Sequence, residues 1–206
     1  MTKQQENEII ARILAGDTNA FGDIVDEHQK NVYNLALKMT GNPEDAQDMS
    51  QEAFIKAFNS LGSFRGDSKF SVWLYRIVSN VCLDFIRSRN RRPITSLNFQ
   101  DLDGESAEYE IPDERELPEE ELMRRLTRES VREGLQYLPE DQRQILLLRE
   151  IQGLSYDEIS EALDIESGTV KSRIFRARKK LCAYLIECGN IPDEFASKVN
   201  EGSVTV

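Results

Sequence analysis

Apolar residues recur along most of this chain at three- and four-residue intervals, the period of one face of an α-helix, and strand-like alternation is scarce. Ile9, Ile10, Ile13 and Leu14 predict a first helix over Glu6 to Ala15, ended by Gly16. Phe21, Ile24, Val25, Val32, Leu35 and Met39 form a second stripe between Asp17 and Gly41. Asn42 then caps a third helix, with Pro43 at its first position and Glu44 and Asp45 in the first turn, where carboxylates complement the helix dipole; it reaches Leu61 and stops at Gly62. A loop, SFRGDSK, leads into a fourth helix from about Phe70 to Ser88, capped by Asp67 or Ser68, whose Leu74, Ile77, Val78, Val81 and Phe85 face the core.

Pro93 breaks the pattern. Ten acidic residues from Asp101 to Glu120 face only Arg115, with Pro112 and Pro118 among them, so this stretch reads as an extended linker without a core of its own. Helical spacing resumes at Leu122, Met123, Leu126, Leu135 and Leu138, and Pro139 starts a further helix through ILLLR to near Gly153. The expected fold is all-α: two small helical domains, residues 1–92 and 121–186, joined by a flexible acidic linker, 93–120, and followed by a tail, 187–206, with no assigned role.

The second domain ends in two short helices joined by a tight turn, the pattern of a helix-turn-helix. Ser155 and Glu158 have the spacing of a capping box, and Ile159, Ala162 and Leu163 follow at helical spacing. After a turn through Asp164 to Glu166, Ser167 is the expected cap of a last helix whose Val170, Ile174, Ala177 and Leu181 make one buried stripe. The opposite face carries Ser172, Phe175, Arg176 and Lys179, flanked by Lys171, Arg173 and Lys180, and no acidic residue interrupts it. Such a face suits the major groove: Arg176 for a guanine edge, Ser172 for either base type, Phe175 for a thymine methyl, and the lateral cations for phosphates.

Composition adds a constraint. The 206 residues are 39% hydrophobic and 31% charged, with a formal net charge of −11, so a DNA-binding role requires the basic residues to be segregated and predicts weak binding to free duplex. They are segregated. From Phe64 to Arg92 there are seven basic residues (Arg65, Lys69, Arg76, Arg87, Arg89, Arg91 and Arg92) against Asp67 and Asp84. On a helical wheel Trp73, Arg76, Asn80, Asp84 and Arg87 share one arc, and an indole, guanidiniums and an amide together suit unstacked bases better than closed duplex. The third helix has an acidic outer stripe of Asp45, Asp48, Gln51, Glu52, Ile55 and Lys56, a candidate docking surface for a protein.

Cys82, Cys182 and Cys188 form no CxxC pair and the single histidine, His28, reads as a surface or packing residue, so no metal, disulfide framework or cofactor is implied. The N-terminus is polar and no apolar run approaches the ~20 residues of a membrane span, which makes the cytoplasm the expected location.

Taken in order, DAQDMSQEAFIKAF, SFRGDSKFSVWLYRIVSNVCLDFIRSRNRR and LPEDQRQILLLREIQGLSYDEISEALDIESGTVKSRIFRARKKL resemble a bacterial RNA polymerase sigma factor of the extracytoplasmic-function (ECF) group, over roughly residues 6–186. The resemblance implies a non-enzymatic subunit that binds core RNA polymerase and directs it to promoter DNA. By that resemblance Asp45, Asp48, Gln51, Glu52 and Ile55 dock on polymerase. Phe64, Arg65, Asp67 and Lys69 of the base-capturing loop, with Trp73, Arg76, Asn80 and Arg87, meet the minus-ten element as a melted strand, and Lys171, Ser172, Arg173, Phe175, Arg176 and Lys179 meet the minus-thirty-five element as duplex. It also implies control by an anti-sigma factor, often membrane-bound. The chain lacks the middle domain and aromatic-rich melting segment of housekeeping sigma factors, which implies weaker melting and stricter promoter demands.

Two other classes compete. An autonomous helix-turn-helix regulator would bind duplex without polymerase, against which stand the acidic net charge and the strand-suited face of the fourth helix. An enzyme acting on nucleic acid would need Asp45 and Asp48 to hold a metal, yet they have no His or Cys partner and no glycine-rich phosphate loop accompanies them.

Overall fold

The computed structural model describes residues 1–91 and 118–191, less the side chains of Lys3 and 118–124. Most of the expected linker and tail, with Arg92 and the side chains of Leu122 and Met123, therefore lies outside what is described. The described chain holds eight α-helices: α1 (Lys3–Leu14), α2 (Phe21–Thr40), α3 (Pro43–Ser60), α4 (Phe70–Arg91), α5 (Pro118–Tyr137), α6 (Glu140–Glu150), α7 (Tyr156–Leu163) and α8 (Ser167–Glu187). No strand occurs among the described residues.

Local chemistry sets the helix ends. Thr2 and Gln5 close a capping box, which starts α1 three residues earlier than the apolar stripe alone predicts. A 3₁₀ turn, Thr18–Ala20, precedes α2. The α2 helix stops at Gly41, whose φ of +76 puts it in the left-handed region open to glycine. The Asn42 side chain accepts hydrogen bonds from the backbone N–H groups of Glu44 and Asp45 at 2.8 and 3.0 Å, so α3 begins at Pro43 as its sequence predicts. The α4 helix runs three residues past the expected Ser88, and α5 begins at Pro118, inside the expected linker.

In the first domain α2, α3 and α4 pack on one another, with α1 across α2. Ile24, Val32, Leu35 and Met39 of α2 and Phe70, Leu74, Val78 and Cys82 of α4 are fully or almost fully buried. The facing residues of α3 are small, Ala46, Ala53 and Ala57, and so let the neighbouring helices approach closely. His28 proves to be a core residue: its Nε2 lies 3.1 Å from the Glu6 carboxylate and its ring packs on Phe70. In the second domain α8 is the central element, contacted by α5, α6 and α7. Residues Arg143 to Leu148 of α6 are buried in an unbroken run, so this helix is enclosed on all sides.

The two domains touch. The α4 helix meets α6 and α7, and α2 meets α5 and α6. At Gly134 the absence of a side chain matters, because a Cβ there would stand 2.6 Å from Leu181 Cδ1 and 2.9 Å from the Tyr184 ring. Gly134→Val is expected to lower the stability of the second domain by about 1–3 kcal/mol through overpacking between α5 and α8, read as an earlier midpoint in urea denaturation followed by circular dichroism.

Candidate nucleic-acid and docking interfaces

Three surfaces emerge from this packing. The first is on α8. Ser155 and Glu158 form the capping box of α7, the Glu158 carboxylate accepting from the Ser155 N–H at 2.8 Å and the Ser155 hydroxyl accepting from the Glu158 N–H at 3.1 Å. Asp164, with φ of 52, ends α7 in the left-handed region that aspartate tolerates, and the Ser160 hydroxyl donates to the Ile165 carbonyl at 2.5 Å to hold the turn. Glu166 is the N-cap of α8, with no side-chain hydrogen bond, and Ser167 is its first helical residue rather than its cap. Val170, Ile174, Ala177 and Leu181 are buried, as their spacing predicts.

The outward face is differentiated by partners. Phe175 is 42% exposed, a large apolar ring left in water, beside exposed Arg176, Lys179 and Lys171, which make no ion pair among the described residues. Ser172 is half-buried and donates to the Thr169 carbonyl at 3.0 Å. Arg173 lies 3.8 Å from the Asp141 carboxylate, a long pair at the surface. Arg178 is turned the other way, into a part-buried pair with Glu150 at 2.5 Å, and so helps to fix α8 on α6. Lys180 sits over the Tyr137 ring, 5.4 Å from its centroid.

The second surface is the loop before α4 and the helix it enters. Gly66, φ +76, allows the loop to turn back. Phe64 then folds over the start of α4, its ring 5.4 Å from Phe70 and 5.5 Å from Trp73. The helical wheel sets Trp73 among the exposed residues of α4; the structure corrects this, since Trp73 is only 7% exposed beneath Phe64 and against Phe70. Arg65, Asp67, Lys69, Arg76, Asn80 and Arg87 remain exposed. With Trp73 and Val72 as its floor, the loop lines an open hollow of about 220 Å³ that Arg76 also borders, and whose far wall is Glu161 and Ala162 of α7.

The third surface is the outer stripe of α3. Ile55 is 61% exposed, Asp48, Gln51 and Glu52 surround it, and Glu52 pairs with Lys56 at 2.7 Å. Asp45, at the edge of the stripe, is half-buried and held by Arg89 of α4 at 2.9 Å.

Sequence reasoning missed Arg143, which is 7% exposed and donates to the carbonyls of Met39, Gln136 and Leu138. A signal existed: on a helix as apolar as ILLLR, Arg143 shares an arc with Leu147, four residues on, and so must be enclosed too.

A helix-turn-helix with a basic outward face, carried beside a second helical domain with its own cationic and amide-bearing face, defines a DNA-binding protein of transcription. Comparison with known proteins narrows the class. Residues 24–92 match the Sigma-70 region 2 family and residues 128–181 match the Sigma-70, region 4 family. The RNA polymerase sigma-H factor of Pseudomonas aeruginosa is 40% identical over 185 residues, covering 88% of this chain and 94% of the relative. The ECF RNA polymerase sigma-E factor of Escherichia coli K12 is 37% identical over 186 residues, covering 88% and 95%. Among solved structures, CnrH in its complex with the cytosolic domain of CnrY is 26% identical with a TM-score of 0.63, covering 87% of this chain and 96% of that one. The sigma factor RpoE of Bartonella quintana, solved with the anti-sigma factor NepR, shares the fold at 24% identity and a TM-score of 0.59, covering 80% and 96%. The chain belongs to the sigma-70 family, in the ECF group of RNA polymerase sigma factors, whose work is promoter-directed transcription initiation.

Glu158 links capping to the second surface, because its carboxylate also pairs with Lys69 at 2.9 Å. The Ser155 N–H first, and the Lys69 ammonium after it, hold this carboxyl below the usual carboxylate range. A depressed value contributes stability that is present above the ordinary pKa of about 4.3 and is lost as the pH falls through the lowered one. Glu158→Gln is therefore expected to flatten the acid limb of the stability profile below about pH 4.3 while leaving the helix capped; denaturant midpoints measured between neutral and acid pH check this, and an unchanged acid limb contradicts it.

Proposed function

We propose that this sigma factor reads its promoter with two differently built faces. The outward arc of α8 takes the minus-thirty-five element as closed duplex, Arg176 and Ser172 meeting base edges, Phe175 meeting a thymine methyl, and Lys171, Arg173 and Lys179 lying along phosphates. The loop and α4 take the minus-ten element as a melted strand. Arg65 and Asp67 border the hollow where an unstacked base enters, with Lys69 at the end of the loop, Phe64 and Trp73 supply its aromatic support, and Arg76, Asn80 and Arg87 continue the contact along α4. The acidic stripe of Asp45, Asp48, Gln51, Glu52 and Ile55 docks on core polymerase, with Ile55 as its apolar anchor. One observation supports this reading above the others: Phe175 and its neighbouring cations stand in water on a helix whose opposite stripe is fully packed.

The same reading includes two domains, 1–92 and 121–186, joined by the acidic segment 93–120. It also includes control by an anti-sigma factor, supported by the likeness to CnrH, which was solved with the cytosolic domain of CnrY.

The decisive experiment mixes the purified chain with bacterial core RNA polymerase and a genomic promoter library. Co-elution and run-off transcripts sharing a two-block motif are the expected result; tight binding to bare duplex without co-elution would assign an autonomous regulator instead. On the promoter so found, Arg176→Ala should cost about 1–3 kcal/mol of upstream-element recognition and relax base preference there, measured by competition with base-substituted duplexes. Asn80→Ala should slow open-complex formation, followed by permanganate reactivity, with polymerase binding intact. Ile55→Asp should do the reverse and abolish co-elution.

A further inference from the structure

The α5 helix is longer than the surface that packs it. At its C-terminal end the Tyr137 ring lies 5.3 Å from the Tyr184 ring of α8, and the Glu133 carboxylate accepts from the Tyr184 hydroxyl at 3.2 Å. Leu135 and Leu138 are buried there, and Val131 packs on the core from the next turn. Towards the N-terminus this support ends: residues 125–129 are all exposed, Leu126 by 46%. The two helices run antiparallel, since Tyr137 meets Lys180 while Glu133 meets Tyr184. Leu126 precedes Glu133 by seven residues, about 10 Å along the axis, whereas α8 ends at Glu187, about 4.5 Å past Tyr184. Leu126 thus overhangs the end of α8 by about 6 Å.

The overhang is apolar. Leu122 and Met123 precede Leu126 by four and three residues, the spacings that share a helix face. Tyr137 follows Leu126 by eleven residues, close to three whole turns, so the arc that Tyr184 covers at one end of α5 is bare at the other.

The chain beyond α8 is turned back and held beside this overhang. Gly189, at φ +74, donates its N–H to the Ile186 carbonyl and Asn190 donates to the Leu185 carbonyl, both at 2.9 Å, the paired bonds of a helix end that reverses the chain. Ile191 is then half-buried against the core. The sequence continues from that anchor as PDEFASKVNEGSVTV, residues 192–206. Ile191, Phe195 and Val199 recur at four-residue intervals, so the anchored isoleucine opens an apolar series. Four residues span about 6 Å as a helix and about 13 Å when extended, enough to reach the overhang in either form. Charge agrees with this, because Asp193 and Glu194 come just before Phe195 and Arg125 is exposed beside Leu126. The acidic segment before Pro118 is a poorer occupant. It joins α5 at the far end, where Glu119, Glu120 and Glu121 repel its carboxylates.

We propose that residues 192–206 return along α5 and seat Phe195 and Val199 on the arc of Leu122, Met123 and Leu126, completing the second domain. The first turns of α5, a short helical stretch that is marginal in water by itself, gain apolar cover from a segment to which sequence reasoning gives no role. The short tether from Ile191 keeps Phe195 at high effective concentration, so a contact too weak to hold a free peptide suffices within the chain.

Hydrogen exchange tests this on the full chain, on a chain ending at Ile191, and on the full-length pair Phe195→Asp with Val199→Asp. The amides of 125–130 are expected to exchange about tenfold faster in both variants than in the wild type, while α2 and α4 keep their rates. Equal rates in all three chains overturn the proposal. So does protection that survives loss of the tail, which assigns the cover to residues 92–117, or protection that rises with protein concentration, which assigns it to a second copy. A nitroxide at Ser197→Cys in a Cys188→Ser background gives a second readout, Cys82 and Cys182 being buried. It is expected to broaden the amide resonances of 125–129, and Leu126→Asp is expected to abolish the broadening; no broadening before that change, or broadening that persists after it, overturns the seat on Leu126. Neither readout involves DNA or polymerase, so its outcome is separable from that of the run-off assay.

Discussion

A chain with 37 acidic and 26 basic residues meets a polyanion only if its charges are sorted by position, and the fold does that sorting. Helices are suited to the task because residues three and four apart share a face while their neighbours do not. On α8 the apolar stripe is buried in the domain, which leaves Lys171, Arg176 and Lys179 outward with no carboxylate on their own helix face. Asp141 and Glu150 of α6 engage Arg173 and Arg178 at the sides of that helix, and Glu133 of α5 accepts from the Tyr184 hydroxyl. On α4 the same sorting leaves Arg76, Asn80 and Arg87 exposed over a core of Leu74, Val78 and Cys82. The outer stripe of α3 is sorted the other way, acidic around Ile55. The three surfaces thus differ in sign and polarity although all three are built on helices.

How much of this is legible in the sequence depends on the range of the interaction concerned. The Ser155 and Glu158 box, the Asn42 cap with Pro43, and the Gly41 stop are contacts within four residues, and the chain shows them directly. The buried stripe of α8 follows from period alone. Trp73 does not, because a helical wheel knows nothing of Phe64, nine residues upstream in a loop that Gly66 turns back over the helix. Arg143 and Gln136 lie still further beyond reach. Their partners, Met39 and Lys38, are about a hundred residues away, and nothing local in either segment specifies that a guanidinium will cap that helix end. Long-range polar pairs carry no period, so they are what sequence reasoning loses first.

The buried polar groups at the domain boundary have a different energetic character from the surface pairs. Arg143 is desolvated, and burial lowers its pKa from the usual guanidinium value; carbonyl and amide oxygens replace the lost water. Removing those oxygens while keeping the burial is costly, so separation of the domains must rehydrate Arg143 and the α2 terminus together. Lys69 and Arg87 are half or more exposed and are solvated whether paired or not. The boundary therefore couples a geometry with sharp hydrogen-bond requirements to a set of charges that a competing anion displaces gradually.

Exposure also bears on the proposed docking and strand-reading roles. The outer stripe of α3, with Ile55, Asp48 and Gln51, faces water, and so do Arg65, Arg76, Asn80 and Arg87 of the loop and α4. Under those roles the acidic stripe around Ile55 repels nucleic acid, so the docking face is kept apart in charge from the cationic faces of α4 and α8.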